Sequence, residues 1–178
     1  MGEHRVAGVR TDKETSSGGT PARILLATDG SRGAELAART AAEFSRKFGS
    51  SLYLVHVTPV SSFHSDFGAV EGPDEGDMLS IYEEDAQHAR YLLDEQAKQL
   101  EEEGVTVERA GLRTGEPAAE VVAFAEEVGA DLVVVGSRGT GASERATMGS
   151  VSESIVRRAH CPVLVVREQE SKNDGRRP

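Results

Sequence analysis

DLVVVGSRGTGASERATMGSVSESIVRRA, running from Asp131 to Ala159, decides the fold. Leu132 to Val135 is solidly apolar, as a strand covered on both faces must be. Glycines at 136, 139, 141 and 149 then carry the chain onward, and Val151, Ile155 and Ala159 recur at helical spacing. This is a strand, a glycine-rich loop and a helix in succession. Glycine lets a ligand approach the main chain closely. A helix amino end offers unpaired N–H groups and a favourable dipole to anions. Gly136 stands directly after the strand, where a side chain is expected to block a bound group. Gly149 and Ser150 open the helix, with hydroxyls at Ser150 and Ser152. Arg138 and Arg145 add positive charge, although Arg145 suits solvent equally well. Together these features predict a phosphate cradle.

The chain on either side repeats the same alternation. RILLA, Arg23 to Ala27, reads as a buried strand ending in the turn residues Thr28-Asp29-Gly30, with Ser31 as helix cap. Ala37, Ala41, Phe44 and Phe48 then form a helical stripe that Gly49 closes. LYLVHV, Leu52 to Val57, is a second strand, and a long polar stretch follows from Thr58 to about Asp77. A long amphipathic helix, marked by Tyr82, Ala86, Ala89, Leu93, Ala97 and Leu100, ends at Gly104. Val105 to Leu112 is a weaker strand. Pro117 starts a third helix, with Val121, Val122, Ala125 and Val128 on its apolar side and Gly129 at its end. Pro162 bars the last helix from continuing, and Val163 to Val166 form the fifth strand. Solidly apolar strands alternating with helices predict one α/β domain over residues 21–168, with a parallel sheet covered on both faces. Such sheets bind ligands beyond the carboxyl ends of their strands. Asp29-Gly30 and the glycine loop both fall at such ends. Residues 1–20 read as a disordered arm, 169–178 as a flexible tail, and much of 61–76 as mobile.

Composition narrows the class. The formal net charge is −10, and residues 71–103 hold twelve acids and two bases, which is that whole excess. The acidity is therefore one local, solvated face, and no basic footprint for nucleic acid exists. No apolar run is long enough to span a membrane or serve as a signal peptide. With Cys161 as the single cysteine, no intrachain disulfide can form. A cytoplasmic protein is expected. His56 reads as a core histidine in an apolar strand, and Cys161 as a small packed residue. Glu83, Glu84, Asp85 and His88 read as part of the solvated helix face.

Two familiar phosphate loops fail on residues. A P-loop needs GxxxxGK followed by Ser or Thr, and no lysine stands in this loop. The dinucleotide fingerprint needs a third glycine where Glu144 stands. Instead Gly136-x2-Gly139-x9-Gly149-Ser150 resembles the ATP-binding signature of the universal stress protein family. ILLATDGS, LYLVHV, DLVVVGSRG and GSVSESIVRRAHCPVLVV are similar to that family too, so the likeness spans about residues 22–167. The resemblance implies an open five-stranded sheet in the order 3-2-1-4-5, Rossmann-like and of the adenine nucleotide alpha hydrolase-like type, and a homodimer. It implies ATP as ligand, with Mg or Mn accompanying the triphosphate and Asp29 as the metal-facing carboxylate. Asp29 and Gly136 would meet the ribose region; Gly139, Gly149 and Ser150 the phosphates, with further contacts from Val151 and Ser152; and Val57 the adenine. Ala27, Thr28, Val135 and Arg138 complete the candidate nucleotide contacts. Ala27 departs from a proline common in the family, and Ser152 stands where Thr is frequent.

These readings predict an ATP-binding regulator in a stress response, with a protein partner that the sequence does not name. The dimer would pair through Val163 to Val166, because an uncovered apolar edge strand invites pairing. Two alternatives stand beside it. One is a dimeric interaction module that needs no nucleotide. The other is a slow ATP hydrolase, for which no catalytic dyad is visible.

Overall fold

A computed structural model describes residues 19–59, 75–140 and 148–167, with side chains of its second helix described from Glu84 onward. Residues 1–18 of the expected arm, the tail, most of the 61–76 stretch, and Arg145 lie outside the described residues. The elements are β1 (Arg23–Thr28), α1 (Arg32–Phe48), β2 (Ser51–Pro59), α2 (Glu75–Glu102), β3 (Val107–Gly115), α3 (Pro117–Val128), β4 (Leu132–Gly136), α4 (Ser150–Arg158) and β5 (Val163–Val166). The five strands pair in parallel in the order β3-β2-β1-β4-β5. The expected α/β architecture and strand order are both present. No helix among the described residues is long and apolar enough to cross a membrane.

Alternation along the strands explains the double cover. Ile24, Leu26, Leu52, Leu54 and Val134 pack on one face with Ala37 and Ala41 of α1 and Leu93 and Leu100 of α2. Leu25, Val55, Val133 and Val135 pack on the other with Val121, Phe124 and Ala125 of α3 and Ile155 of α4. Both sides of each central strand are buried, so its sequence reads as an unbroken apolar run.

Helix ends follow local chemistry. Ser31 Oγ accepts from the Ala34 N–H at 3.2 Å, capping α1, and Gly49 ends that helix at φ +70°. Glu116 caps α3 unexpectedly, its carboxylate accepting from Ala118 N at 3.0 Å and Ala119 N at 2.7 Å just ahead of Pro117. Two expectations need correction. The stripe on α1 holds at Ala37, Ala41 and Phe44 but not at Phe48, which is 36% exposed, and the buried face extends instead to Ala34, Ala38 and Ala42. On α4, Ile155 and Ser152 are buried but Val151 is 41% exposed, because the helix's first turn borders a cavity and not the core.

Candidate functional site

The strand order reverses between β1 and β4, where the loops leaving them diverge. An open cavity of about 700 Å³ lies there, as expected for a parallel sheet. It is bordered by Ala27, Thr28 and Asp29 from β1 and its turn, and by Val57 of β2. Val135, Gly136, Arg138 and Gly139 border it from β4 and the loop beyond, and Gly149, Ser150, Val151 and Ser152 from the start of α4. Apart from Arg145, which lies outside the described residues, the site residues expected from the sequence all border this one space.

Asp29 is held in place. Its Oδ1 accepts from the Ser31 N–H at 3.0 Å, and its Oδ2 from the Thr140 N–H at 3.0 Å. One carboxylate ties the turn after β1 to the loop after β4. Each oxygen keeps a further lone pair for a ligand donor. Gly139 makes the tie possible, because a Cβ there would collide with Asp29 Oδ2. Gly136 differs from its expected role. A Cβ there would lie 2.7 Å from the Gly33 carbonyl carbon, so its bareness lets α1 cross close to the end of β4. Gly33 is reciprocal: its Cβ would stand 2.5 Å from the Arg138 carbonyl oxygen. Gly33 is a site-building residue that the sequence reading missed. Its signal was a glycine inside the first turn of a well-capped helix, where glycine is costly.

The amino end of α4 opens toward the cavity. Gly149 occupies the cap position and supplies no side-chain hydrogen bond to the first turn. Its own N–H donates to the Ser137 carbonyl at 2.7 Å, which fixes where the helix begins. The Ser152 hydroxyl is buried and directed at the Ser137 and Gly149 carbonyls, 3.1 and 2.9 Å away. Its proton is engaged by the protein, so any contact it makes with an anion falls to its main-chain N–H. Ser150 carries a hydroxyl at the rim.

Polarity divides the cavity. Val57, Val135, Val121 and Ile155 form an apolar side suited to a flat base. His56, Asp85 and His88 border it elsewhere. His56 therefore stands half-buried in the cavity wall and not in the core. Its burial pulls the imidazole below its ordinary pKa; the Asp29 carboxylate and a Thr28 backbone hydrogen bond oppose this, and His88 adds to the lowering. Asp85 and His88 belong to the helix face expected to be merely solvated, and their place at the cavity went unforeseen. Their spacing of three residues put both on one side of α2, but nothing in the sequence said which side faced the ligand end. Among the described residues, no group of three His, Cys, Asp or Glu is placed to hold a metal ion. Cys161 is half-buried, and burial raises its thiol pKa, in keeping with a packed residue.

Comparison with known proteins places this arrangement. The model of the universal stress protein family matches residues 21–167. A universal stress protein of Methanocaldococcus jannaschii is 37% identical over 150 residues, covering 84% of each chain. Among solved structures, a protein whose biochemical function was assigned from its structure aligns with a TM-score of 0.71 at 28% identity, over 84% of this chain and 97% of that one. The universal stress protein of Archaeoglobus fulgidus, solved in complex with dAMP, aligns with a TM-score of 0.54 at 27% identity, over 80% and 95%. With its sheet order, its glycine loop and this match along nearly the whole domain, the chain belongs to the universal stress protein family.

Proposed function

We propose that this chain is a nucleotide-dependent regulator that binds ATP in the crevice between β1 and β4. The observation that carries the reading is the uncapped amino end of α4, which faces the same cavity as the doubly anchored Asp29 carboxylate. Anion-seeking N–H groups and a hydroxyl-seeking carboxylate are what a ribose phosphate needs at its two ends. The apolar side offered by Val57 and Val135 suits adenine, and the complex of the Archaeoglobus fulgidus relative with dAMP supports a purine nucleotide as the ligand class. Gly139, Gly149, Ser150 and the Val151 and Ser152 N–H groups would hold phosphate, and Arg138 borders the same space.

Mg²⁺ is commonly held by one or two carboxylates together with substrate phosphates, so the residues present fit such an ion. Asp29 would hold it, and it would screen charge on the phosphates. Binding, rather than turnover, is the proposed activity. The regulator would act as a dimer paired through β5, in the cytoplasm, on a protein partner. Calorimetry with ATP, with and without Mg²⁺, and mass spectrometry of nucleotide released from the purified protein test the reading. Saturable ATP binding is expected; none up to millimolar ATP would sink it.

A further inference from the structure

α2 is anchored over only part of its length. Ala89, Leu93 and Leu100 are buried against the sheet, whereas every residue from Glu84 to His88 is exposed. The helix has 28 residues, about 42 Å, against nine in β2, about 30 Å. As the crossover from β2 to β3 it runs against the strands, so its amino half lies at their carboxyl ends, where the cavity opens. Asp85, His88, Ala89 and Leu92 all border that cavity. They fall at i, i+3, i+4 and i+7, a single face of the helix. Leu92 fixes how near this face comes to the ligand end: a Cβ built on Gly30, in the turn after β1, would lie 3.6 Å from its Cδ1.

We infer that α2 is the nucleotide-sensing wall of the pocket, with His88 as a ligand-contacting residue, and that nucleotide binding anchors the exposed part of the helix ahead of Ala89. The inference rests on the nucleotide reading above and adds to it the route by which occupancy is registered. His88 and His56 border the same cavity, with Asp29 on the turn after β1, Asp85 on the helix of His88 and Arg138 on the loop after β4 bordering it too. An imidazole N–H is a donor and, once protonated, a cation, and it matches the oxygen-rich surface of a ribose phosphate. Among the described side chains of α2, Leu93 and Leu100 pack in the cluster on the sheet face. A bound nucleotide supplies a second row, one turn further toward the amino end. Glu84 and Asp85 belong to that stretch, so occupancy would change the order of an acidic surface segment and give the regulator a face that differs between its two states.

Amide hydrogen exchange with and without saturating ATP tests this on the full chain, in the wild type and in His88→Ala. ATP is expected to slow exchange at residues 84–92 by roughly tenfold in the wild type. His88→Ala, at an exposed helical position that tolerates alanine, is expected to weaken ATP binding by roughly fivefold to tenfold and to lose most of that added protection. A wild type that binds ATP by calorimetry but shows unchanged exchange at 84–92 overturns the inference and leaves the nucleotide reading standing. Unchanged ATP affinity in His88→Ala does the same. A wild type that binds no ATP overturns both.

Discussion

Gly139 and Gly149 frame one loop and do different things, which decides how each can be probed. Gly139 cannot accept even a methyl group without moving Asp29. Gly149 has φ −80° and ψ 156°, extended backbone open to any residue, and a Cβ there would meet the Ser137 carbonyl oxygen at 3.4 Å, an ordinary contact. Its backbone angles therefore do not oppose a branched residue. Gly149→Val is therefore a clean test. Its Cβ would pack beside the Ser137 carbonyl and the Ser152 hydroxyl, and its two methyl groups would crowd the first turn of α4 that phosphate is proposed to approach. ATP affinity should fall between roughly tenfold and a hundredfold, while far-UV circular dichroism and dimer mass stay near wild type. A folded variant that binds ATP at full strength would mean the loop does not hold phosphate. His56 offers a test by pH. Burial lowers its pKa in the folded chain below the ordinary value of 6.5, so the folded state binds this proton more weakly than the unfolded one. Its contribution to stability is complete above about pH 6.5 and is lost as pH falls through the lower folded-state pKa. Melting temperature should thus drop less between about pH 7.5 and about pH 5.5 in His56→Gln than in the wild type. An equal drop in both would show that His56 ionises as freely folded as unfolded. At this scale the sequence identified groups better than reasons. Asp29, Gly136 and Gly139 were visible as candidates, but that Gly136 serves the α1 crossing follows from a backbone approach of residues a hundred positions apart, which no local pattern records.

Strands and helices were legible where one physical rule governed them. β5 was read at its observed bounds, because Pro162 and four apolar residues leave little choice. α3 was read from Pro117 and Gly129, yet its largest buried side chain, Phe124, was missed. Its ring lies over Gly111 of β3, between the guanidinium groups of Arg109 and Arg113 at 5.1 and 5.0 Å, and both arginines pair with Glu127. Only a glycine leaves room for that ring, and the combination reads as irregular alternation in sequence. β3 is a sheet edge dressed with charge. β5, the other edge, carries VLVV and no charge, so the two edges differ in what they invite. Val133 N donates to the Pro162 carbonyl at 3.0 Å and Ser137 N to the Val166 carbonyl at 2.7 Å. Alternation then turns the main-chain groups of Val163 and Val165 outward, away from β4. Val165→Pro removes one outward N–H and leaves the inner ladder intact. Light scattering at micromolar concentration should find the wild type dimeric and this variant mostly monomeric, with unchanged secondary structure. A variant that remains dimeric would place the pairing surface elsewhere.

Across the whole molecule, the cavity joins parts that otherwise pack apart. One face of the sheet is covered by α1 and α2 and the other by α3 and α4, and the two apolar clusters share no side chain. At the carboxyl edge this separation ends. Thr28, Asp29 and His56 meet α2 residues there, while Val135, Gly149 and Ile155 border the same space from the other side. A ligand in that space would border both layers, and Asp29 already ties the turn after β1 to the loop after β4 through Thr140. Ligand that binds only the folded chain stabilises it by about 2.7 kcal/mol at a hundred times its dissociation constant. For a chain of 178 residues, each kcal/mol is worth roughly 2–4 °C in melting temperature, so ATP at that excess should raise the midpoint by roughly 5–10 °C. The transition should stay single and cooperative, because the ligand bridges layers that unfold together. Gly149→Val should show the same midpoint as wild type without ATP and a much smaller rise with it. If ATP leaves the wild-type midpoint unmoved at millimolar concentration, the crevice is not a nucleotide site, and the dimeric interaction module becomes the better account of this chain.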